Sequence, residues 1–342
     1  MYRRLAGWSL ALSVLLAGVV IVACAVGPVQ IAFADSAAVI LDELGFKSGI
    51  EYTQRDMLVV RDLRLPRVLV GALVGAALAV SGAAMQALFR NPLAEPGIIG
   101  VSSGAAVGAT AAIYFEWTAI SQWALPSASF IGSLVAISVV YLIASVGGRP
   151  SMATLLLVGI GMNASMGAIT SVLVANAPDE QQLRGIVFWL QGGLEARTWE
   201  HVELVVLPIL VGCAFISVFG RDLNVMLLGD EQARSSGVNV PQVRALLLVT
   251  ASLLAGVAVS VSGIIGFVGL VVPHIVRLVI GPDHRLLVPT SGLLGASFLV
   301  AADTIARMAF QPVILRVGVV TALVGGPAFL LLVLRARREG VV

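Results

Sequence analysis

Lysine is almost missing from these 342 residues: Lys47 is the single one, and Phe46 stands before it. A G-x-x-x-x-G-K-[ST] phosphate loop needs glycine directly before its lysine, so the chain cannot hydrolyse ATP in that way. Cysteine is scarce too. Cys24 and Cys213 lie far apart in apolar stretches, which supports neither a disulfide framework nor a thiolate metal site. The histidines His201, His274 and His284 share no ligand spacing. Charge is low, with 12% charged residues against 58% hydrophobic ones, and mean hydropathy is +1.00. That balance excludes a water-soluble domain and gives no basis for a nucleic-acid partner.

Long apolar runs fill the chain instead. A helix needs roughly 20 apolar residues to cross a bilayer, and candidate spans lie near 7–34, 66–88, 97–115, 124–146, 153–175, 201–219, 241–262, 264–280, 286–306 and 317–334. The expected fold is an all-α polytopic membrane protein, one domain over 1–342 with about ten transmembrane helices. Pro273, His274 and Arg277 interrupt the run at 264–280, so a short or re-entrant helix fits there equally. The first run is too long for a signal-peptide core and reads as a span. Ten crossings put both termini on one side, with Arg3, Arg4, Arg90, Arg149, Arg221, Arg234, Arg285, Arg335, Arg337 and Arg338, which makes that side cytoplasmic.

Between the spans, residues 221–241 form the longest polar stretch on the inner side. Leu223, Met226 and Leu227 give a short apolar stripe, Gly229 breaks it, and a second turn from Asp230 can close on Gly237 as a C-cap. Two short helices around a glycine can lie in a groove of another protein; an ordinary surface loop is the alternative. In the fifth span Asn163, Ser165, Thr170 and Ser171 are costly against lipid and belong in the bundle interior or a pore. Residues 185–194 are too short to cross; with Phe188 and Trp189 before Gly192 and Gly193 they read as a half-helix at the outer mouth.

The segment from Arg64 to Gly108 sets two Gly/Ala-rich spans around a polar, proline-marked hinge, with Gly71, Gly75, Ala79 and Gly82 as a small-residue packing face. Its RLPR and SGAAMQALFRNPLAEPGIIGVSSGA runs, LGDEQARSSGVNV, the block 263–307 and VGVVTALVGGPAFLLLV resemble, in order and spacing, the permease subunits of bacterial ABC importers for vitamin B12, iron siderophores and heme. The resemblance covers nearly the whole chain. It implies an inner-membrane homodimer that moves its cargo by alternating access, two copies of an ATPase that carry the ATP and Mg, and a periplasmic substrate-binding protein. No permanently bound cofactor is implied.

By the same resemblance, Leu228, Gly229, Asp230, Glu231, Ala233, Arg234 and Gly237 contact the ATPase, and Arg64, Arg67 and Arg307 receive the binding protein. Met152 and Ala153 stand at the inner gate, where the B12 permeases are richer in hydroxyls. Leu315 and Arg316 replace an acidic residue common before the last helix. DEQQLR followed by FW resembles the heme permeases, which makes heme the expected substrate. Arg184 then faces its two-fold copy and offers forked donors to a dicarboxylate, although an ion pair with Asp179 or Glu180 also accounts for it. Asn163, Ser165, Thr170, Phe188 and Trp189 complete the expected pathway. A ferric siderophore or cobalamin is the alternative cargo. An intramembrane enzyme built on His274 and Asp303, or an ion-coupled carrier, is the alternative of another class.

Overall fold

The computed structural model describes residues 2–146, 148, 151–309 and 315–338, with residues 2 and 332–338 given by backbone alone. Arg149 and the side chains of Arg335, Arg337 and Arg338 therefore lie outside the described residues. Every regular element among the described residues is helical. α1 (Tyr2–Ala25) and α2 (Phe33–Glu43) lead into α3 (Gln54–Leu58), which runs through a π-helical stretch, Val59–Arg64, into α4 (Leu65–Leu88). A 3₁₀ turn, Pro96–Ile99, precedes α5 (Val101–Tyr114), followed by α6 (Trp117–Ile120), α7 (Ala124–Ala144), α8 (Met152–Ala175), α9 (Glu180–Leu190) and α10 (Trp199–Val218). The chain continues through α11 (Gly220–Leu227), α12 (Asp230–Ser235), α13 (Val240–Ser262), α14 (Val268–Val279), α15 (His284–Met308) and α16 (Val317–Arg338).

Seven helices are long and apolar enough to cross a membrane: α1, the α3–α4 rod, α7, α8, α10, α13 and α15. The other three expected spans fall on shorter apolar helices, namely α5, α14 and the Val317–Leu331 part of α16. At about 1.5 Å per residue, the 14 residues of α5 and the 12 of α14 fall short of the roughly 30 Å hydrocarbon thickness. Each is preceded by non-helical or 3₁₀ backbone with buried members, such as Ile99 before α5 and Ile265 before α14, because unpaired peptide groups at that depth need protein around them. The short helix expected within 264–280 is present, but Pro273, His274 and Arg277 do not interrupt it: α14 runs unbroken through all three, and the non-helical backbone lies before Val268. The first span is shorter than expected and ends at Ala25.

The rod through α4 is the centre of the bundle: 78% of its apolar window is buried, against 11% for α8 at the edge. α4 packs against α15, α13, α10 and α14. Small residues permit this, since a Cβ on Gly75 would overlap the Gly295 carbonyl of α15 and one on Gly82 the Gly269 carbonyl of α14. In lipid, where apolar surface gains nothing by leaving water, such close backbone approach supplies dispersion contacts that hold helices together. The expected packing face of α4 is the real one.

Candidate functional site

At one end of the bundle an arginine-carboxylate network ties four elements. Arg67 of α4 donates to both oxygens of Asp303 of α15, at 2.9 and 2.7 Å, and Arg307 Nε lies 3.3 Å from Asp303 Oδ2. Arg64 donates to the carbonyls of Cys24 and Ala25, at 2.6 and 2.9 Å, and to that of Val29. Arg307 also donates to the Ala23 carbonyl at 3.1 Å. These groups cap the end of α1 and satisfy carbonyls the helix leaves unpaired.

The geometry places Arg64, Arg67 and Arg307, the expected docking residues, together in this network. Arg64 and Arg307 are each 6% exposed, and the Arg67 side chain is 13% exposed and locked on Asp303. Asp303 is committed to the two arginines.

Beside the network opens a cavity of about 550 Å³, lined by α9, the chain after α5, the turn after α9 and Arg316. The expected half-helix exists as α9, from 180 to 190, with Asp179 capping it by accepting the Gln182 N–H at 2.8 Å. Phe188 and Trp189 both line the cavity. Arg316 stacks over the Phe188 ring, 4.3 Å from its centroid, and pairs with Glu195. Arg197 completes the wall. Arg184 does not line it: the side chain is 67% exposed and pairs with Glu180, one helical turn earlier, at 2.5 Å.

A second cavity, about 530 Å³, lies beside the Pro96–Ile99 turn. Asn163 and Thr170 of α8 line it together with Glu95 and Ser103. Asn163 donates to the carbonyls of Gly97 and Ile98, at 3.1 and 3.0 Å, and accepts from Ser103 at 2.6 Å, so it fastens α8 to the turn. The Thr170 hydroxyl is buried without a partner. Ser165 is exposed and donates to the Gly161 carbonyl of its own helix at 3.0 Å; it is not in either cavity. Glu95 makes no ion pair among the described residues, and burial raises its pKa.

At the opposite end α11 and α12 form the expected pair of short helices, with Gly229 between them at φ +123°. Gly237, at φ +86°, ends α12: its N–H bonds the Arg234 carbonyl and the Val238 N–H bonds that of Ala233, both at 3.0 Å, the paired closure of a Schellman motif. Asp230 accepts from Arg90 at 2.6 Å and from Arg244 at 3.0 Å, fixing α12 to the loop after α4 and to α13. Burial alone would raise the Asp230 pKa, but the bonds and charges of Arg244 and Arg90 outweigh it and the value falls below 3.8.

Asn224 of α11 donates to Asp283 at 2.6 Å and accepts from the His284 N–H at 2.8 Å, so α11 is tied to the start of α15. Leu228, Glu231 and Arg234 face outward, whereas Ala233 is buried and Asp230 turns inward. Within this chain Ala233 packs into the core. Met152 is half-buried in a cavity of about 250 Å³ beside Arg234 and Arg244, and Ala153 is exposed.

Glu195, Arg197 and Glu95 were not singled out from sequence. The first two follow the Gly192–Gly193 helix stop, where charges read as an ordinary surface turn; only the three-dimensional path of 191–198 carries them back over the cavity. Glu95 sits inside a motif read for its prolines and glycines.

Comparison with known proteins agrees with this architecture. The model of the FecCD transport family matches residues 14–335. The chain is 42% identical over 361 residues to the cobalamin import system permease protein BtuC of Halobacterium salinarum, covering 96% of each. It is 47% identical over 281 residues to the hemin transport system permease protein HmuU of Yersinia pestis, covering 81% of this chain and 84% of the relative. A solved structure described as an inward-facing conformation of a metal-chelate type ABC transporter superposes with a TM-score of 0.84 at 30% identity, over 95% of this chain and 98% of that one. A buried, glycine-packed bundle with a paired-helix loop at one end, matched along nearly its whole length, belongs to the FecCD transport family and is a multi-pass permease component of an ABC importer.

Proposed function

We propose that this chain carries heme across a bacterial inner membrane, as one half of a homodimer driven by two copies of a separate ATPase subunit and loaded by a periplasmic binding protein. The arginine-network end faces the periplasm and α11–α12 face the cytoplasm, with ten passes and both termini inside. The observation that carries the cargo reading is the 550 Å³ cavity, which joins Phe188 and Trp189 to Arg197 and Arg316. A flat apolar ring with carboxylate arms matches that pairing of aromatic faces and guanidinium donors. Arg184, exposed near the cavity, adds a second guanidinium once two copies meet. The exposed Leu228, Glu231 and Arg234 on the loop anchored by Asp230 support a motor contact there. ATP and Mg bind only on the ATPase, and heme passes through without becoming a resident cofactor.

Cobalamin is a second reading, favoured by the 96% coverage of the Halobacterium salinarum permease and by Glu95, whose unpaired carboxyl in the second cavity suits amide donors better than propionates. The deciding experiment is ATP-driven uptake into vesicles holding the permease, its ATPase and its binding protein, with heme, ferric siderophores and cobalamin offered separately. Heme uptake that falls in Arg184→Ala with the complex still assembled supports the first reading; cobalamin uptake alone supports the second.

A further inference from the structure

We propose that Arg197 is the carboxylate-binding group of the 550 Å³ cavity, a specificity-determining residue for the cargo rather than a structural arginine; the assignment deepens the heme reading above. Five charged side chains line this cavity: Glu116, Asp179, Glu195, Arg197 and Arg316. Four are already engaged. Asp179 caps α9, Glu116 accepts from Gln182 Nε2 at 2.9 Å, and Glu195 and Arg316 hold each other. Arg197 has no carboxylate within 4 Å among the described residues. One guanidinium nitrogen donates to His201 Nε2 at 3.2 Å, while its Nε is buried without a partner.

An arginine in that condition is costly to the empty protein. Burial works against its charged form, the nearby Glu195 charge works for it, and the like charges of Arg67 and Arg316 oppose it more weakly; arginine stays protonated in proteins. The charge therefore remains, half-buried and short of acceptors, facing a cavity of ligand size. A carboxylate arriving there recovers desolvation already spent and meets donors in a forked geometry. The His201 contact holds the guanidinium plane, and Phe188 and Trp189 supply the wall for an apolar ring. Glu195 lies close enough to be felt by Arg197, but its oxygens are shared between Arg316 and Arg67.

The test uses the full-length permease in lipid nanodiscs and two probes that share one ring: protoporphyrin IX, with two carboxylates, and its dimethyl ester, with none. Quenching of tryptophan fluorescence, corrected with empty discs, reports binding. Wild type is expected to favour the dicarboxylate by roughly tenfold, the scale of one charged hydrogen bond. Arg197→Ala should abolish that preference and leave ester binding unchanged, and Arg197→Lys should restore part of it. No preference in wild type overturns the assignment; so does equal loss of both probes in Arg197→Ala when Arg197→Gln, which keeps a donor for His201, binds ester normally and retains the preference. Vesicle uptake separates the two claims: a preference that depends on Arg197 without heme uptake defeats the heme-import reading alone, and heme uptake with a preference indifferent to Arg197 defeats this assignment alone.

Discussion

Asp303 carries more of the structure than its single negative charge indicates. Its side chain is 3% exposed and lies between Arg67 and Arg307, themselves 13% and 7% exposed, so removing it leaves two buried cations facing each other. Breaking a buried pair from one side costs about 3–5 kcal/mol. Asp303→Ala should therefore lower the melting temperature of the detergent-purified chain by several degrees or prevent its accumulation, while Glu180→Ala, which breaks only the exposed pair with Arg184, should leave melting unchanged. Thermal unfolding of both variants beside wild type checks this. The contrast also explains what sequence reading missed here. An arginine beside a span displays charge in the sequence, but whether it reaches outward or folds back over a helix end depends on the rotation of α4 against α15, which no local pattern encodes.

Among the elements, the α11–α12 loop was legible because backbone chemistry announces it: Gly229 and Gly237 adopt positive φ, where other residues are strained. What holds the loop was not legible, since Asp230 draws Arg90 and Arg244 from distant parts of the chain. The sign of its pH dependence follows. A carboxyl whose folded pKa is depressed contributes stability that is present above its ordinary value, here 3.8, and lost as pH falls through the lower folded value. Hydrogen exchange at 230–238, corrected for intrinsic rates, should thus be equal at pH 7 and pH 5, and Asp230→Asn should raise it at both. α4 offers a steric test of the same kind. Gly82→Ala must push α14 away because its Cβ overlaps the Gly269 carbonyl, at about 1–3 kcal/mol for an overpacked contact, whereas Gly7→Ala, with nothing within 4 Å, should melt like wild type.

For the whole molecule, the distribution of burial argues for a second copy. α8 is the least buried of the seven long helices, yet it carries Ser165 and Ser171 on exposed positions, each bonded only to a carbonyl of its own helix, at 3.0 and 2.9 Å. Leu157, Ile160, Ile169 and Val172 are exposed on the same helix, and a Cβ at Gly161 or Gly167 would meet nothing within 4 Å. A lipid-facing helix has no use for serines, while a helix beside a two-fold axis can give one face to its copy and another to a pore. α1 shows a sparser mixture: Ser13 is its one exposed serine, beside the exposed Leu10, Val14, Leu15 and Val22. In a chain with Cys24 and Cys213 replaced by alanine, Ser165→Cys should form a disulfide-linked dimer in the membrane under mild oxidation, and Leu10→Cys should not. Cross-linking from α1 with none from α8 would place the interface on the other side of the bundle, and the two cavities beside α8 and α9 would then open toward lipid rather than toward a shared pathway.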